Sequence, residues 1–387
     1  MNPSRPWEHY FSFLYKNIDK ALDEGFTYET LVWTFNPEHF ADPHLIPQSW
    51  IRKEALVLQM FSPKMHVLVI GPPGIGKTTI TDFFYKIHFP FDRATLVATQ
   101  YGSVTTTAGL RETVIRLSRN IMNEFELDIN PSFDPKRIPK AILHLEEFLK
   151  APPSFRDIMK AVMNDNILII RQAERREEYP APINVYADTN PPGQDTWIGN
   201  DFRSKKAQLE EFAKETAFVR RFTVVLALDD YTIGQKALIR KYIAYYRTNP
   251  HPAIESGEFF EKYEEFVRKR RRLKVKVKDV PDRVFNFILG LERDLVSTGK
   301  LLLPIIHTDF IQNIISIAEG FARIKGHKEV MDDDWKDAMD FVTRCIETIA
   351  DIPPTKKIKF YEHILSVGRR MKRELEEKFR VREGVYK

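Results

Sequence analysis

The chain has 387 residues, enough for about two to three domains, each with its own hydrophobic core. Apolar residues make up 43% and charged residues 29%, which excludes a disordered chain, and no apolar run approaches the roughly 18 residues that span a bilayer. The single cysteine, Cys345, excludes a disulfide framework and a cysteine-based zinc site. These features predict an intracellular, cytoplasmic protein without a membrane partner.

The predicted elements begin with helices and continue as alternating strands and helices. A helical pattern over 46–61 precedes a short apolar run in KMHVLVIGPPG that favours a buried strand. Further strands are expected at 94–98, 141–145, 183–187 and 223–228. Helical patterns separate them, which is typical of a parallel sheet covered by helices, so the predicted fold class is α/β.

The remaining chain is predicted to be helical, apart from a strand-like alternation over 273–280. The predicted domains are a helical extension at 1–46, the α/β core at 47–230, a helical lid domain at 231–350 and a basic C-terminal helix or tail at 351–387.

Positive charge is concentrated in two segments, although the net charge is only +5. Residues 268–278 hold eight basic and no acidic residues, and residues 355–387 hold eleven basic against five acidic residues. Clusters of this kind predict a salt-sensitive contact with a polyanion, and DNA is the expected partner.

One segment carries the strongest functional signal. Residues 71–78 satisfy the pattern G-x-x-x-x-G-K-[ST] between a predicted strand and a helix, where backbone amides and the helix N-terminus bind phosphate. Lys77 would reach the β- and γ-phosphates, and the Thr78 hydroxyl would ligate Mg²⁺. The residues predicted to bind ATP are Gly71, Pro72, Pro73, Gly74, Ile75, Gly76, Lys77, Thr78 and Thr79.

Three later segments supply polar side chains that ATP hydrolysis needs. Glu146 and Glu147 end an apolar strand, where one carboxylate can hold Mg²⁺ and the next can polarise the attacking water. Asn190 ends the next strand and can orient water or contact the γ-phosphate. Arg220 and Arg221 precede the last strand, where an arginine can stabilise the transferring phosphoryl group in cis or from a neighbouring subunit.

In this order, the segments resemble an AAA+ ATPase, and in detail the motor module of the minichromosome maintenance (MCM) replicative helicases. The resemblance covers roughly residues 46–342 and rests on PQSWIRKEALVLQMF, the Walker A loop, TTTAGLRETV, LEEFLK, DTNPP, VRRF and LIRKYIAYYRTNPHP. It implies a P-loop αβα core with a helical lid, and hexameric rings around DNA with ATP and Mg²⁺ at the subunit interfaces. By resemblance, Glu146 would bind the metal, Glu147 the water, Asn190 would be sensor 1, and Arg221 a finger acting in trans.

The sequence departs from the MCM pattern in four places. Glu146 stands where the family usually has aspartate, and Asp309 stands where the sensor-2 arginine is expected. Only about 46 residues precede the core in this sequence, so we expect no counterpart of the family's N-terminal DNA-binding region among them. The hairpin over 166–183 has no net charge, because three arginines balance three glutamates, namely Arg171, Arg175, Arg176, Glu174, Glu177 and Glu178.

Three functions are therefore open from the sequence. The first is a ring-forming, ATP-driven DNA helicase or translocase in DNA replication. The second is a MoxR-like AAA+ ATPase that remodels proteins, because residues 146–165 and the segment YPAPINVYADTNPP resemble that branch too. The third is a nucleotide-dependent binding module with little turnover, which Glu146 and Asp309 favour.

Overall fold

A five-stranded parallel sheet forms the centre of the protein. The computed structural model describes residues 6–86, 97–102, 104–124, 138–172, 175–199, 201–214 and 216–352. The strands in chain order, β1 to β7, are Val67–Ile70, Val97–Tyr101, Ala141–Glu146, Ile167–Gln172, Arg175–Pro180, Ile183–Thr189 and Val224–Ala227. Five of them are parallel and pair in the order β2-β3-β6-β1-β7, while β4 and β5 form a separate antiparallel hairpin.

The part of the chain that the structure describes contains fourteen α-helices, which lie before, between and after the strands in sequence. Helices α1 to α8 are Pro6–Glu24, Tyr28–Thr34, Pro47–Phe61, Lys77–Lys86, Thr107–Glu124, Pro153–Asp165, Phe202–Lys214 and Thr216–Val219. Helices α9 to α14 are Ile233–Thr248, Pro252–Glu255, Glu258–Arg271, Asp282–Leu291, Phe310–Lys325 and Asp332–Glu347. The α/β fold class and the helical region after the sheet are thus confirmed.

The strands form where the sequence places continuous apolar runs. Every residue of β1, β6 and β7 is buried, which a strand covered by helices on both faces requires. The prediction at 94–98 lies partly outside the described residues, and β2 continues from Val97 to Tyr101. The alternation over 273–280 does not form a strand, because only Lys276 pairs there, in a single bridge with Glu329.

The first two helices pack on the helical region. The Tyr10 ring lies 5.1 Å from that of Tyr242, and the Phe11 ring lies 4.8 Å from that of Tyr245, so α1 and α9 share an aromatic interface. The bounds predicted for the four domains stay a prediction, and residues 353–387 of the predicted basic tail lie outside the described residues.

The basic segment at 268–278 differs from a uniformly exposed surface. Arg271 is 1% exposed, and its guanidinium donates to the Met60 carbonyl at 2.7 Å and to the Lys140 carbonyl at 3.4 Å. Lys269, Arg272 and Lys274 are exposed. Arg271 therefore joins α11 to the core, whereas these three cations face solvent.

Candidate functional site

The loop over residues 71–76 turns between β1 and α4 at the carboxyl edge of the sheet. Gly74 and Gly76 have φ values of +84° and +72°, a backbone conformation that glycine adopts without steric cost. The helix begins at Lys77, so its first free amides face the loop. This geometry matches the anion site that the sequence predicts.

Lys77 lies at the mouth of this loop. Its Nζ donates to the Gly71 carbonyl at 2.7 Å, to the Pro72 carbonyl at 2.8 Å and to Asn190 Oδ1 at 2.9 Å. The side chain is 9% exposed, and burial lowers the pKa of its ammonium to about 8, against the opposing effect of nearby Asp188. The structure therefore brings Lys77 and Asn190 together.

Thr78 and Glu146 also meet. The Thr78 hydroxyl donates to Glu146 Oε2 at 3.2 Å, which joins the first turn of α4 to the end of β3. Burial raises the pKa of the Glu146 carboxyl, and His144 opposes that shift. A hydroxyl and a carboxylate are hard oxygen ligands of the kind that Mg²⁺ takes, so this donor set fits the predicted metal.

Glu147 lies one residue beyond the strand with its backbone turned to φ 52° and ψ 39°, the left-handed region. Such a conformation costs a non-glycine residue roughly 1–2 kcal/mol and points its side chain away from the strand direction. The carboxylate is 39% exposed and accepts from Lys150 Nζ at 2.8 Å. Glu147 therefore faces solvent beside Glu146 instead of packing under the sheet.

Asn190 bridges two neighbours. Its Oδ1 accepts from Lys77, and its Nδ2 donates to Asp195 Oδ1 at 3.2 Å. Since β6 lies between β3 and β1 in the sheet, the end of β6 is next to both the phosphate loop and the acidic pair. The polar side chains predicted from three separate segments therefore lie along one edge.

A buried histidine and aspartate lie below this edge, and the sequence argument missed both. His144 Nε2 is 2.6 Å from Asp188 Oδ2, and His144 Nδ1 is 3.3 Å from Thr81 Oγ1. A signal was present in the sequence, because His144 lies two residues before Glu146 at the end of one strand, and Asp188 lies two residues before Asn190 at the end of the next. With a period of two, each pair shares a face.

A second missed group supports the loop from behind. Arg52 is fully buried and donates to the Ile75 carbonyl at 2.7 Å, and the Tyr231 hydroxyl donates to the same oxygen at 3.0 Å. Arg52 Nη2 also lies 3.3 Å from the ring of His39, whose pKa is held well below its ordinary value by burial and by the cations Arg52 and Lys53. No spacing rule marks these residues.

A cavity of about 420 Å³ opens beside the loop. It is bounded by the phosphate loop, by the segment after α2 and by α9, and its lining includes His39, Gly74, Thr79, Tyr231, Ile239 and Ile243. Its size and mixed apolar and polar walls suit a small organic group such as a nucleobase.

The predicted finger lies elsewhere. Arg221 precedes β7, at the amino edge of the sheet, whereas the phosphate loop lies at the carboxyl edge. Its Nε donates to the Lys160 carbonyl at 3.2 Å, and burial lowers the pKa of its guanidinium. The structure therefore does not bring Arg221 to the site of its own chain.

Asp309 lies next to the turn that precedes β7 and carries Arg220 and Arg221. Its backbone amide donates to His307 Nδ1 at 3.2 Å, so His307 carries its proton on Nε2 and donates to the Arg220 carbonyl at 2.8 Å. Asp309 itself is exposed at the start of α13. The position expected to hold a sensor arginine thus supports a contact between the helical region and the turn that carries Arg221.

Comparison with known proteins agrees with this geometry. Residues 66–205 match the family described as AAA domain, dynein-related subfamily. The matched range contains the phosphate loop, Glu146, Glu147 and Asn190, which the structure gathers at one sheet edge. The protein carries an AAA domain. An AAA domain indicates ATP binding and an ATPase, so the prediction of an AAA+ ATPase is confirmed at that level.

The chain also resembles an uncharacterized MCM-type protein of Methanocaldococcus jannaschii. The two are 25% identical over 343 residues, which cover 81% of this chain and 46% of the relative. The chain therefore spans about half the length of the curated relative it matches. Among the described residues, no helix combines the length and the apolar character needed to cross a membrane.

Proposed function

We propose that the AAA domain hydrolyses ATP at the phosphate loop. The observation that carries this proposal is the position of the Lys77 ammonium, held by three oxygen acceptors at the mouth of a loop between a strand and a helix. Phosphate oxygens would replace the two carbonyl acceptors, because an anionic acceptor attracts the ammonium more strongly than a neutral carbonyl does. Asn190 then keeps the ammonium pointed at the phosphates.

The remaining steps fall to residues along the same edge. Thr78 and Glu146 would hold Mg²⁺, which neutralises charge on the phosphates during transfer. Glu147 would accept the proton of the attacking water, because its carboxylate is partly exposed and its left-handed backbone directs it off the strand. Asn190 would orient that water through its amide.

We propose further that the protein acts as a ring, with Arg221 serving the site of a neighbouring subunit. The support is its place at the sheet edge opposite its own phosphate loop. A finger in trans stabilises transition-state charge and makes turnover depend on assembly. A hexamer is the stoichiometry that the resemblance implies.

The substrate we propose is DNA, moved or unwound in replication. The resemblance to an MCM-type protein over 81% of the chain supports this, and so do the exposed cations Lys269, Arg272 and Lys274 on and after α11. Contacts of this kind attract a phosphate backbone without reading its sequence.

Protein remodelling by a MoxR-like mechanism is the second candidate. The dynein-related domain match is equally compatible with it, and the β4–β5 hairpin offers the exposed acids Glu177 and Glu178, where a strand-gripping loop would be basic. On this alternative the partner is a protein segment, and DNA neither binds nor raises the ATPase rate.

The experiment that tests the proposal is an ATPase assay of the full chain with and without single-stranded DNA. Lys77→Ala should abolish hydrolysis and most nucleotide binding, while the exposed-lysine control Lys262→Ala should match the wild type. Glu147→Gln should keep ATP binding and lose hydrolysis. DNA stimulation that falls with salt supports the translocase, and ATPase activity without any DNA response supports the remodeller. Unchanged turnover in Lys77→Ala refutes the phosphate-loop assignment.

A further inference from the structure

The buried face of the sheet below the site carries three ionisable side chains in register. His144 pairs with Tyr186 across β3 and β6, so Asp188 is its diagonal neighbour on the same face. Glu146 lies two residues along β3 and therefore also shares that face. His144 and Asp188 are 1% and 4% exposed, and ionisable side chains are rarely buried to this extent unless they are paired.

The two ring nitrogens of His144 each have one polar neighbour. Nε2 lies 2.6 Å from a carboxylate oxygen of Asp188, which can only accept, so Nε2 carries the proton and donates. Nδ1 lies 3.3 Å from Thr81 Oγ1, whose hydroxyl donates to the Thr78 carbonyl at 2.6 Å. The Asp188 bond on one side and the Thr81 contact on the other together fix the plane of the ring.

Glu146 lies against this fixed ring. Its Oε1 is 3.9 Å from His144 Nδ1, and its Oε2 accepts from the Thr78 hydroxyl at 3.2 Å. A glutamate has one more side-chain torsion than an aspartate, so holding its carboxylate in one place needs additional contacts. The Glu146 carboxylate thus has His144 beside Oε1 and Thr78, the other proposed metal ligand, beside Oε2.

We propose that the Asp188–His144 pair positions the Glu146 carboxylate for a divalent cation. Asp188 orients the ring, the ring and Thr81 form one wall beside Oε1, and Oε2 stays directed at Thr78, where the cation would be held. His144 and Asp188 are positioning residues, since they act through Glu146. This inference rests on the proposed function, because the cation is the one that accompanies ATP.

Two variants of His144 separate the contact at Nε2 from the contact at Nδ1. In His144→Gln the amide nitrogen occupies the place of Nε2 and keeps the contact with Asp188, while the Nδ1 side is lost. In His144→Asn the amide occupies the place of Nδ1, and the Asp188 contact is lost. Asp188→Asn is the milder third variant, because it keeps the shape of the side chain.

The matched control is a second buried histidine, His66, which directly precedes β1. His66 is fully buried and bonds to the Met163 carbonyl at 3.0 Å and to the Val185 amide at 3.1 Å, at the amino edge of the sheet. His66→Gln should cost the fold about as much as His144→Gln without touching the site. It separates loss of stability from loss of positioning.

The measurement is Mn²⁺ binding by electron paramagnetic resonance on the full chain with a non-hydrolysable ATP analogue, alongside analogue affinity in EDTA. We expect both His144 variants to bind Mn²⁺ about 10–100-fold more weakly, Asp188→Asn about tenfold more weakly, and His66→Gln as the wild type does. Metal-free analogue affinity should stay unchanged in both His144 variants and in His66→Gln. Wild-type Mn²⁺ affinity in the three site variants overturns the inference, whereas a wild-type chain that binds no analogue overturns the proposed function itself.

Discussion

Gly76→Ala should disrupt the phosphate loop far more than the same change at Gly74. A Cβ at Gly76 would lie 2.8 Å from Cε1 and 3.2 Å from Nδ1 of His39, a ring that Arg52 holds from its other side. The left-handed backbone alone costs alanine about 1–2 kcal/mol, and forced overpacking adds about 1–3 kcal/mol. The expected loss is therefore about 2–5 kcal/mol of unfolding free energy.

Gly74 is the matched control, since its φ of +84° imposes the same strain while its Cβ would meet nothing within 4 Å. Gly74→Ala should cost only about 1–2 kcal/mol. Urea unfolding of both variants, extrapolated linearly to water, measures the difference, and binding of a fluorescent ATP analogue reports whether the loop still forms.

A double-mutant cycle with His39→Ala completes the test. If the clash between the Gly76→Ala methyl group and the His39 ring is the cause, His39→Ala should destabilise the Gly76→Ala variant about 1–3 kcal/mol less than it destabilises the wild type. Equal losses at the two glycines, or no coupling with His39, would refute the reasoning.

Three further results are expected. Arg221→Ala should leave nucleotide binding intact and lower turnover by about three orders of magnitude. Mixing Arg221→Ala subunits with Glu147→Gln subunits should restore part of the activity. If the subunits exchange and no activity returns, a finger acting in trans is contradicted. Burial holds the pKa of His66 well below its ordinary value of 6.5, so the unfolded chain binds a proton that the folded chain does not. The free energy of unfolding should therefore fall as the pH drops below 6.5. Urea titrations at several pH values should show that His66→Gln flattens this slope by at most about 1.4 kcal/mol per pH unit. Arg271→Ala should lower the free energy of unfolding by more than about 2 kcal/mol in the same assay. Arg272→Ala, at an exposed position, should change it by under about 0.5 kcal/mol and should reduce the salt dependence of DNA binding. Equal destabilisation by the two variants would count against the buried contact of Arg271.

Local sequence signals predicted the sheet and the phosphate loop well. Apolar runs located four strands of the parallel sheet, because a strand buried on both faces needs little polar content. The strand predicted at 94–98 overlaps β2 only at residues 97 and 98. The glycine spacing before Lys77 located the loop because its backbone conformation demands glycine at fixed places. Both signals are encoded within a few residues of one another.

The rest of the site depends on partners that are distant in sequence. Arg52 reaches the Ile75 carbonyl and Tyr231, residues 23 and 179 positions away, and nothing near Arg52 announces either contact. Arg271 was predicted as part of an exposed basic run, yet it bonds to carbonyls up to 211 residues away. His144 and Asp188 become a pair only once the register of β3 and β6 is known. Tertiary pairing decides these roles.

The aromatic interface between α1 and α9 has a mechanical consequence. Tyr242 packs on Tyr10 and Phe11, and His251 adds a 3.0 Å contact to Asp19. The cavity beside the phosphate loop is bounded partly by α9, so any swing of that helix over bound nucleotide must carry α1 along or separate these rings. If α9 moves on nucleotide binding, α1 should therefore move with it, and a dye attached at the exposed position of Lys20 would report that movement.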